Sequence, residues 1–260
     1  MNVTIQETFT LPSGGQIYSK PINPDITLRS MTTMDELKRL SPSDLPYKNM
    51  CDMIDDCMVG EKQMSSYDMC LGDYQFLLHK LRIVSHGTDY NMLVQCPNCG
   101  KIEEKVFNME ELEVFTYDKE TFGDLLSLHL PASDIDITLK FQTPRDLDNI
   151  VKKKKELLAK NKLMLDPTLT LTVMSGIDLV GGDKLNFVKL EAFVQNLPMK
   201  DTNLILNRID EINVKVGIDT TVYNHCSQCG YDYLSTFPIT KEFFRPSTNS
   251  WWSIIRPFEI

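Results

Sequence analysis

The sequence predicts an α+β fold, and three observations carry that expectation. Strand-like alternation and helix-like periodicity fall in separate stretches instead of taking turns along the chain. Two Cys-x-x-Cys-Gly turns, Cys96-Pro97-Asn98-Cys99-Gly100 and Cys226-Ser227-Gln228-Cys229-Gly230, stand far apart, each entered and left by a short β-type run. The long tract between them has strands and helices of its own. The expected architecture is therefore a pair of hairpins with cysteine turns at their tips, combined with an N-terminal helical region and an α+β insert between the two turns.

At the N-terminus, Val3, Ile5, Phe9 and Leu11 alternate ahead of Pro12-Ser13-Gly14-Gly15, and residues 16–19 are again β-like. This predicts a hairpin with a glycine turn. Ile26-Thr27-Leu28-Arg29 reads as a further short strand. Thr32 or Thr33 then opens a short helix over residues 34–40, with acids in its first turn and bases in its last, as the helix dipole favours. Helical periodicity returns over 47–59 and over 66–84, where Gly72 and Asp73 interrupt a broad apolar stripe. Met50, Met53, Met58, Met64 and Met69 cluster there and read as gap-filling core. His86-Gly87 closes the helix and Tyr90 starts the first hairpin.

In the insert, residues 112–117 and 135–142 read as strands, the second with Ile135, Ile137, Leu139 and Phe141 on one face. Helices are expected over 145–160, 167–175, 183–196 and 201–212, with Asp183 as a helix N-cap and Gly176, Gly181-Gly182 and Pro198 as punctuation. The chain then divides into residues 1–90 (hairpin and helices), 91–117 with 218–240 (the cysteine hairpins), 118–217 (the mainly helical insert) and 241–260 (an aromatic tail).

Each cysteine turn places two thiolates two residues apart with a glycine behind, and that glycine allows the positive φ needed to aim backbone N–H groups at sulfur. Two such turns face to face present four sulfurs in a tetrahedron, the arrangement Zn²⁺ prefers in a closed structural site. Cys96, Cys99, Cys226 and Cys229 are the candidate ligands, and the hairpins that carry them form a zinc ribbon. A disulfide or redox role, or unpaired thiols, are the alternatives, and the length of residues 100–225 is unlike a compact finger. Four cysteine ligands leave no open position, so such a metal is a staple and not a Lewis acid.

Composition is that of an ordinary globular chain, with 42% hydrophobic and 24% charged residues. No apolar run suggests a membrane span, and the first residues lack the order of a signal peptide. Cys51, Cys57 and Cys70 fall on helical stretches and read as small buried hydrophobes in a protein of a reducing cytoplasm. The formal charge of −9 opposes broad binding to nucleic acid, whose affinity rests on neutralised phosphates. Lys152 to Lys155 form the one dense basic run, and acids within reach make it a solvated helix face. The stretch from Ser175 to Lys184 has glycines but not the spacing of a phosphate loop. None of His79, His86, His129 and His225 sits in a pattern with a nucleophile, although His225 adjoins Cys226. No enzyme is expected.

Both tryptophans lie in the last residues, Ser250-Trp251-Trp252-Ser253-Ile254-Ile255-Arg256-Pro257-Phe258-Glu259-Ile260. An aromatic terminus either folds back on its own core or docks on another subunit, and Trp251, Trp252 and Phe258 are the candidate partner-binding side chains.

Leu11-Pro12-Ser13-Gly14-Gly15, then Asp73-Tyr74-Gln75-Phe76-Leu77-Leu78 with Leu81-Arg82-Ile83, then Gly87-Thr88-Asp89-Tyr90 leading into the first cysteine turn, come in an order that resembles the baseplate hub assembly chaperones of T4-like contractile-tailed bacteriophages. The Leu197-Pro198 to Asp201 segment, the second cysteine turn and Phe243-Phe244-Arg245-Pro246 look like the same pattern. The resemblance implies a non-enzymatic protein that helps build, or stays in, the baseplate: found in the virion tail or in host cytoplasm during assembly, bound to other baseplate or tail proteins, with room for a homo-oligomer. The competing class is a zinc-ribbon nucleic-acid-binding protein, which should carry bases around its turns, whereas the flanks here hold Glu103, Glu104 and Asp232 beside Lys101 and Lys105. A hydrolase that uses the zinc would need a ligand other than cysteine and an open position.

Overall fold

The structure, a computed structural model, describes residues 4–160, 166–236 and 241–244. It mixes helices with small sheets in which all recorded pairings are antiparallel. Strand β1 (Gln6–Thr10) pairs with β2 (Asp25–Arg29), Phe9 opposite Ile26, and not with residues 16–19 as the glycine turn had suggested. The reason lies in the intervening loop, which is held by its own bonds: Leu11 N–H to Pro24 O at 2.9 Å and Ile22 N–H to Gly15 O at 3.1 Å. A Cβ on Gly15, at φ +69°, would lie 2.2 Å from the Ile22 carbonyl oxygen, so only glycine fits this crossing. Helix α1 (Thr33–Leu40) begins as expected, with Thr32 and Asp35 capping each other's backbone N–H.

Helix α2 (Pro46–Cys57) runs straight into β3 (Met58–Val59), which adds to the free side of β2. The single helix expected over 66–84 is instead a 3-10 turn at Ser66–Asp68 followed by α3 (Leu71–His86), whose N-cap is the Cys70 sulfur. Gly87, at φ +87°, ends it. Strands β4 (Asp89–Gln95) and β5 (Ile102–Asn108) form the first cysteine hairpin over their full length. The strand expected over 112–117 shrinks to β6 (Val114–Phe115); α4 (Lys119–Leu125) and β7 (Ser127–Leu130) follow without a clear signal in the sequence.

Beyond them come β8 (Ile135–Leu139), α5 (Pro144–Lys160), α6 (Thr168–Gly176), β9 (Ile177–Val180), α7 (Phe187–Gln195) and α8 (Met199–Val214). Asp183 is not a helix cap: it bridges back to Val180 across the Gly181-Gly182 turn, and Asn186 caps α7. Strand β10 (Gly217–Ile218) pairs with β6, and β11 (Thr221–His225) with β12 (Asp232–Thr236) makes the second cysteine hairpin.

One core lies between the β1–β2–β3 sheet and helices α2 and α3, around Leu28, Met53, Ile54, Leu77, Leu78 and Leu81. The expected methionine packing is there, with Met53 and Met69 buried and Met50, Met58 and Met64 against them; Cys51 and Cys57 are buried in the same core. A second core joins the β7–β8–β9 sheet to α6 and α8 through Leu130, Ile137, Val173, Ile205 and Ile212. A third, smaller one fills the space between the two cysteine hairpins.

The insert leaves and returns at one place, where β6 meets β10 and the Asp219 N–H donates to the Glu113 carbonyl at 2.9 Å. At that base α3 lies backbone to backbone on the returning chain: a Cβ on Gly72 would stand 2.0 Å from the Val216 carbonyl oxygen. Gly72 is thus a crossing point, where the sequence had suggested an interruption. Next to it Asp73, fully buried, accepts from the Ser13 N–H at 2.9 Å, the Ser13 hydroxyl and the Tyr18 hydroxyl at 2.5 Å. A second buried carboxylate, Asp148 on α5, accepts from the N–H groups of Tyr47 (3.2 Å) and Lys48 (2.8 Å) and from the Tyr67 hydroxyl (3.1 Å). It caps α2, whose own N-cap Leu45 has no side-chain acceptor.

Gly72→Ala is expected to destabilise the protein by about 2 kcal/mol or more, because backbone must move to admit the methyl group. Gly123→Ala in α4, where a Cβ meets nothing within 4 Å, should be neutral or stabilise by up to about 1 kcal/mol. Denaturant unfolding of the two variants checks both; equal effects would contradict the close crossing.

Candidate metal centre

The two cysteine turns have one geometry. In the first, the Cys96 N–H donates to Lys101 O and the Gly100 N–H to Cys96 O, both at 2.9 Å; in the second, Cys226 to Tyr231 and Gly230 to Cys226, both at 3.0 Å. Gly100 and Gly230 take φ of +73° and +69°, as turns that reverse the chain this tightly require. Seven residue pairs of β4–β5 and five of β11–β12 feed these turns, so each is the rigid end of a sheet.

The hairpins pack face to face. Met92, Val94, Cys96, Cys226 and Tyr233 are buried between them, with Tyr90, Phe107 and Val222 at the margin. Polar ties cross at the edges: Lys101 Nζ donates to Ser227 Oγ at 2.8 Å, the Ser227 hydroxyl donates to Glu103, and Lys105 Nζ donates to His225 O at 2.7 Å. These side chains appeared in the sequence only as flanking charges; nothing in their spacing signals a bond more than a hundred residues away.

This packing brings the four predicted cysteines together. Their sulfurs all lie within 4.8 Å of one another, with Cys96 to Cys229 at 3.7 Å and Cys99 to Cys226 at 3.6 Å. A tetrahedral zinc site with arms of about 2.3 Å has sulfur–sulfur edges of about 3.8 Å, whereas a disulfide needs about 2.05 Å. No disulfide joins any of the four. Cys96 and Cys226 sit at the buried floor and Cys99 and Cys229 at the exposed rim.

Four sulfurs this close suit a cation, since thiolates in contact repel one another. The Asn98 amide, 3.5 Å from Cys229 Sγ, and the Tyr231 N–H draw the Cys229 thiol down to about 6. Cys99 also receives a favourable N–H from Lys101, yet desolvation and its neighbouring sulfurs push it up to about 12. One thiol gives up its proton readily and another holds it, because thiolates this close cannot all ionise without positive charge among them. A divalent ion supplies that charge and the donor set suits zinc. Asn98 was not singled out in the sequence; a side-chain donor inside the turn was its only signal.

The neighbouring His225 turns away from the sulfurs and pairs through Nδ1 with Asp232 at 2.7 Å. Of the dense lysine run, Lys153, Lys154 and Lys155 pair with Glu156, Asp166 and Asp44. The other predicted contact residues, Trp251, Trp252 and Phe258, lie outside the described residues. None of the described helices is long and apolar enough to cross a membrane.

Comparison with known proteins places the chain against one family model, described as T4 bacteriophage base plate protein, which matches residues 3–245. No curated protein and no solved structure matches it.

Cys226→Ser, at the buried floor, is expected to lower the unfolding midpoint by many degrees and to expose β4–β5 and β11–β12 together to hydrogen exchange, since binding energy at such a site is folding energy. Protection of both hairpins unchanged from the parent protein would argue against a shared metal.

Proposed function

The chain belongs to the family of T4 bacteriophage base plate proteins, and we propose that it is a non-enzymatic structural or assembly protein of the hub region of the base plate, acting through contacts with other tail proteins. The observation that carries this reading is the family match over residues 3–245, nearly the whole chain.

The candidate metal centre supports the non-enzymatic part. Cys96, Cys99, Cys226 and Cys229 would hold one zinc ion with sulfur alone, leaving no position for substrate or activated water. The ion, when bound, contributes folding energy and neutralises the thiolates. The hairpins then form a zinc ribbon whose faces keep a fixed relative position.

That ribbon has surfaces suited to contact. Tyr223 and Leu234 stand directly opposite each other on the outer face of β11–β12 and are 65% and 68% exposed. A rigid sheet face with paired large apolar side chains is a docking surface more than a solvent surface. In this reading the protein resides in the virion tail or, during assembly, in host cytoplasm; Trp251, Trp252 and Phe258 supply further anchors, and several copies around the base plate axis are compatible with it.

Quantitative mass spectrometry of finished particles and of tail precursors tests the proposal. A fixed ratio to other base plate proteins in finished particles is expected of a structural component, and presence in precursors alone of an assembly factor. Absence from both would overturn it.

A further inference from the structure

The recorded sulfur contacts of the cysteine cluster run between the hairpins and not within a turn: Cys96 meets Cys229 at 3.7 Å and Cys99 meets Cys226 at 3.6 Å. The two contacts share no sulfur, so both can become bonds in one molecule. Each joins an exposed rim cysteine, Cys229 or Cys99, to a buried floor cysteine, Cys96 or Cys226. An oxidant therefore meets the rim sulfur first, with the second sulfur of the pair directly behind it. Four cysteines allow three pairings, and contact favours this one.

The ribbon has means of holding these pairs in register besides the sulfurs. Met92, Val94 and Tyr233 are buried between the hairpins, and Lys101 and Lys105 donate across to the Ser227 hydroxyl and the His225 carbonyl. Closing a contact of 3.6 or 3.7 Å to the length of a disulfide, about 2.05 Å, takes a shift of about 1.6 Å. Side-chain rotation at the exposed rim cysteines can supply it.

We propose that the four cysteines are a site of oxidative modification, converted by a peroxide to the disulfides Cys96–Cys229 and Cys99–Cys226, which keep the hairpins stapled once zinc has left. In each pair the rim thiolate attacks one peroxide oxygen: an S–O bond forms, the O–O bond breaks and hydroxide leaves. The floor thiolate then attacks the sulfenic acid so made: an S–S bond forms, the S–O bond breaks and a second hydroxide leaves. Two sulfurs lose two electrons and one hydrogen peroxide gains them. Both pairs together consume two peroxides, and Zn²⁺ goes free.

Distance along the chain decides what this achieves. The two bonds span 133 and 127 residues, so they close the same long loop as the metal, whereas bonds within each Cys-x-x-Cys turn would leave the hairpins unjoined. The use of these bonds rests on the base plate reading: the chain is made in a reducing cytoplasm, where thiolates hold zinc, and travels in a released particle into an oxidising medium, where disulfides persist.

The test treats the full-length protein, purified with reductant, with hydrogen peroxide, then alkylates it and digests it with trypsin without reduction. Tryptic peptides 83–101 and 216–241 hold two cysteines each. A single linked species, lighter than the two peptides together by four hydrogens, is expected, with fragment ions joining Cys96 to Cys229 and Cys99 to Cys226. Separate peptides each lighter by two hydrogens, the other cross-pairing, or sulfinic acids in place of disulfides would overturn it. The same digest should find the linked species in finished particles and alkylated thiols in tail precursors alkylated at lysis. A chain confined to precursors, or present in particles with all four thiols alkylated, overturns the conversion and leaves the base plate reading standing. Absence from particles and precursors alike overturns the base plate reading, and this use of the disulfides with it.

Discussion

Two cysteine turns that the sequence keeps 127 residues apart, from Cys99 to Cys226, meet in the folded chain. Everything between them has to leave and come back. Two devices make that return possible: the sulfur cluster holds the hairpin tips, and the β6–β10 pair with the Gly72 crossing holds the base. By the chain-entropy estimate used for cross-links, closing a loop of this length removes about 5 kcal/mol of disorder from the unfolded chain. A small interface, such as the five buried side chains between the hairpins, gains most from a staple of this kind, because it has little core of its own.

Joints between the cores follow the same logic of satisfying buried polar groups over long sequence distances. Asp148 of the insert caps a helix of the N-terminal core, and Arg145 in the same turn pairs with Asp68 at 2.5 Å while lying 4.4 Å from the Tyr67 ring centre. At the other end of the N-terminal core, Phe243 and Phe244 are buried against α3, with Arg82 Nε donating to the Phe243 carbonyl at 3.0 Å. The chain that emerges from the second cysteine hairpin is thus tied back into the core next to α1. The insert and the segment after the second hairpin thus meet the N-terminal core through specific polar bonds.

Much of this was legible in the sequence, for identifiable reasons. The cysteine turns are local patterns, and a glycine behind each second cysteine announces its conformation. Helices such as α5 and α8 show their period over many residues, and the ordered motifs from Leu11 to Pro246 pointed to the family. What the sequence hid was decided by distant partners. Residues 16–19 look like a strand, but Ser13 and Tyr18 are drawn to Asp73 and the loop cannot pair with β1. Gly72 looks like a weak point in a helix until the returning backbone at Val216 is in view. In α1 the start and charge order were readable, yet the buried face was not, because Asp35 is held by Arg29 and Arg39 sits over Phe244. Hydrophobic periodicity assigns the apolar side inward, and here ion pairs overrule it.

We propose that one zinc ion, held by Cys96, Cys99, Cys226 and Cys229 from two distant hairpins, organises this base plate protein for contact and not for chemistry. Native mass spectrometry of the full chain, purified without chelator, reads the bound metal from the mass. The expected mass is that of the chain plus one zinc, less the protons that the thiols give up. A chain at its metal-free mass with four reactive thiols, or one lighter by the hydrogens of two disulfides, would contradict it.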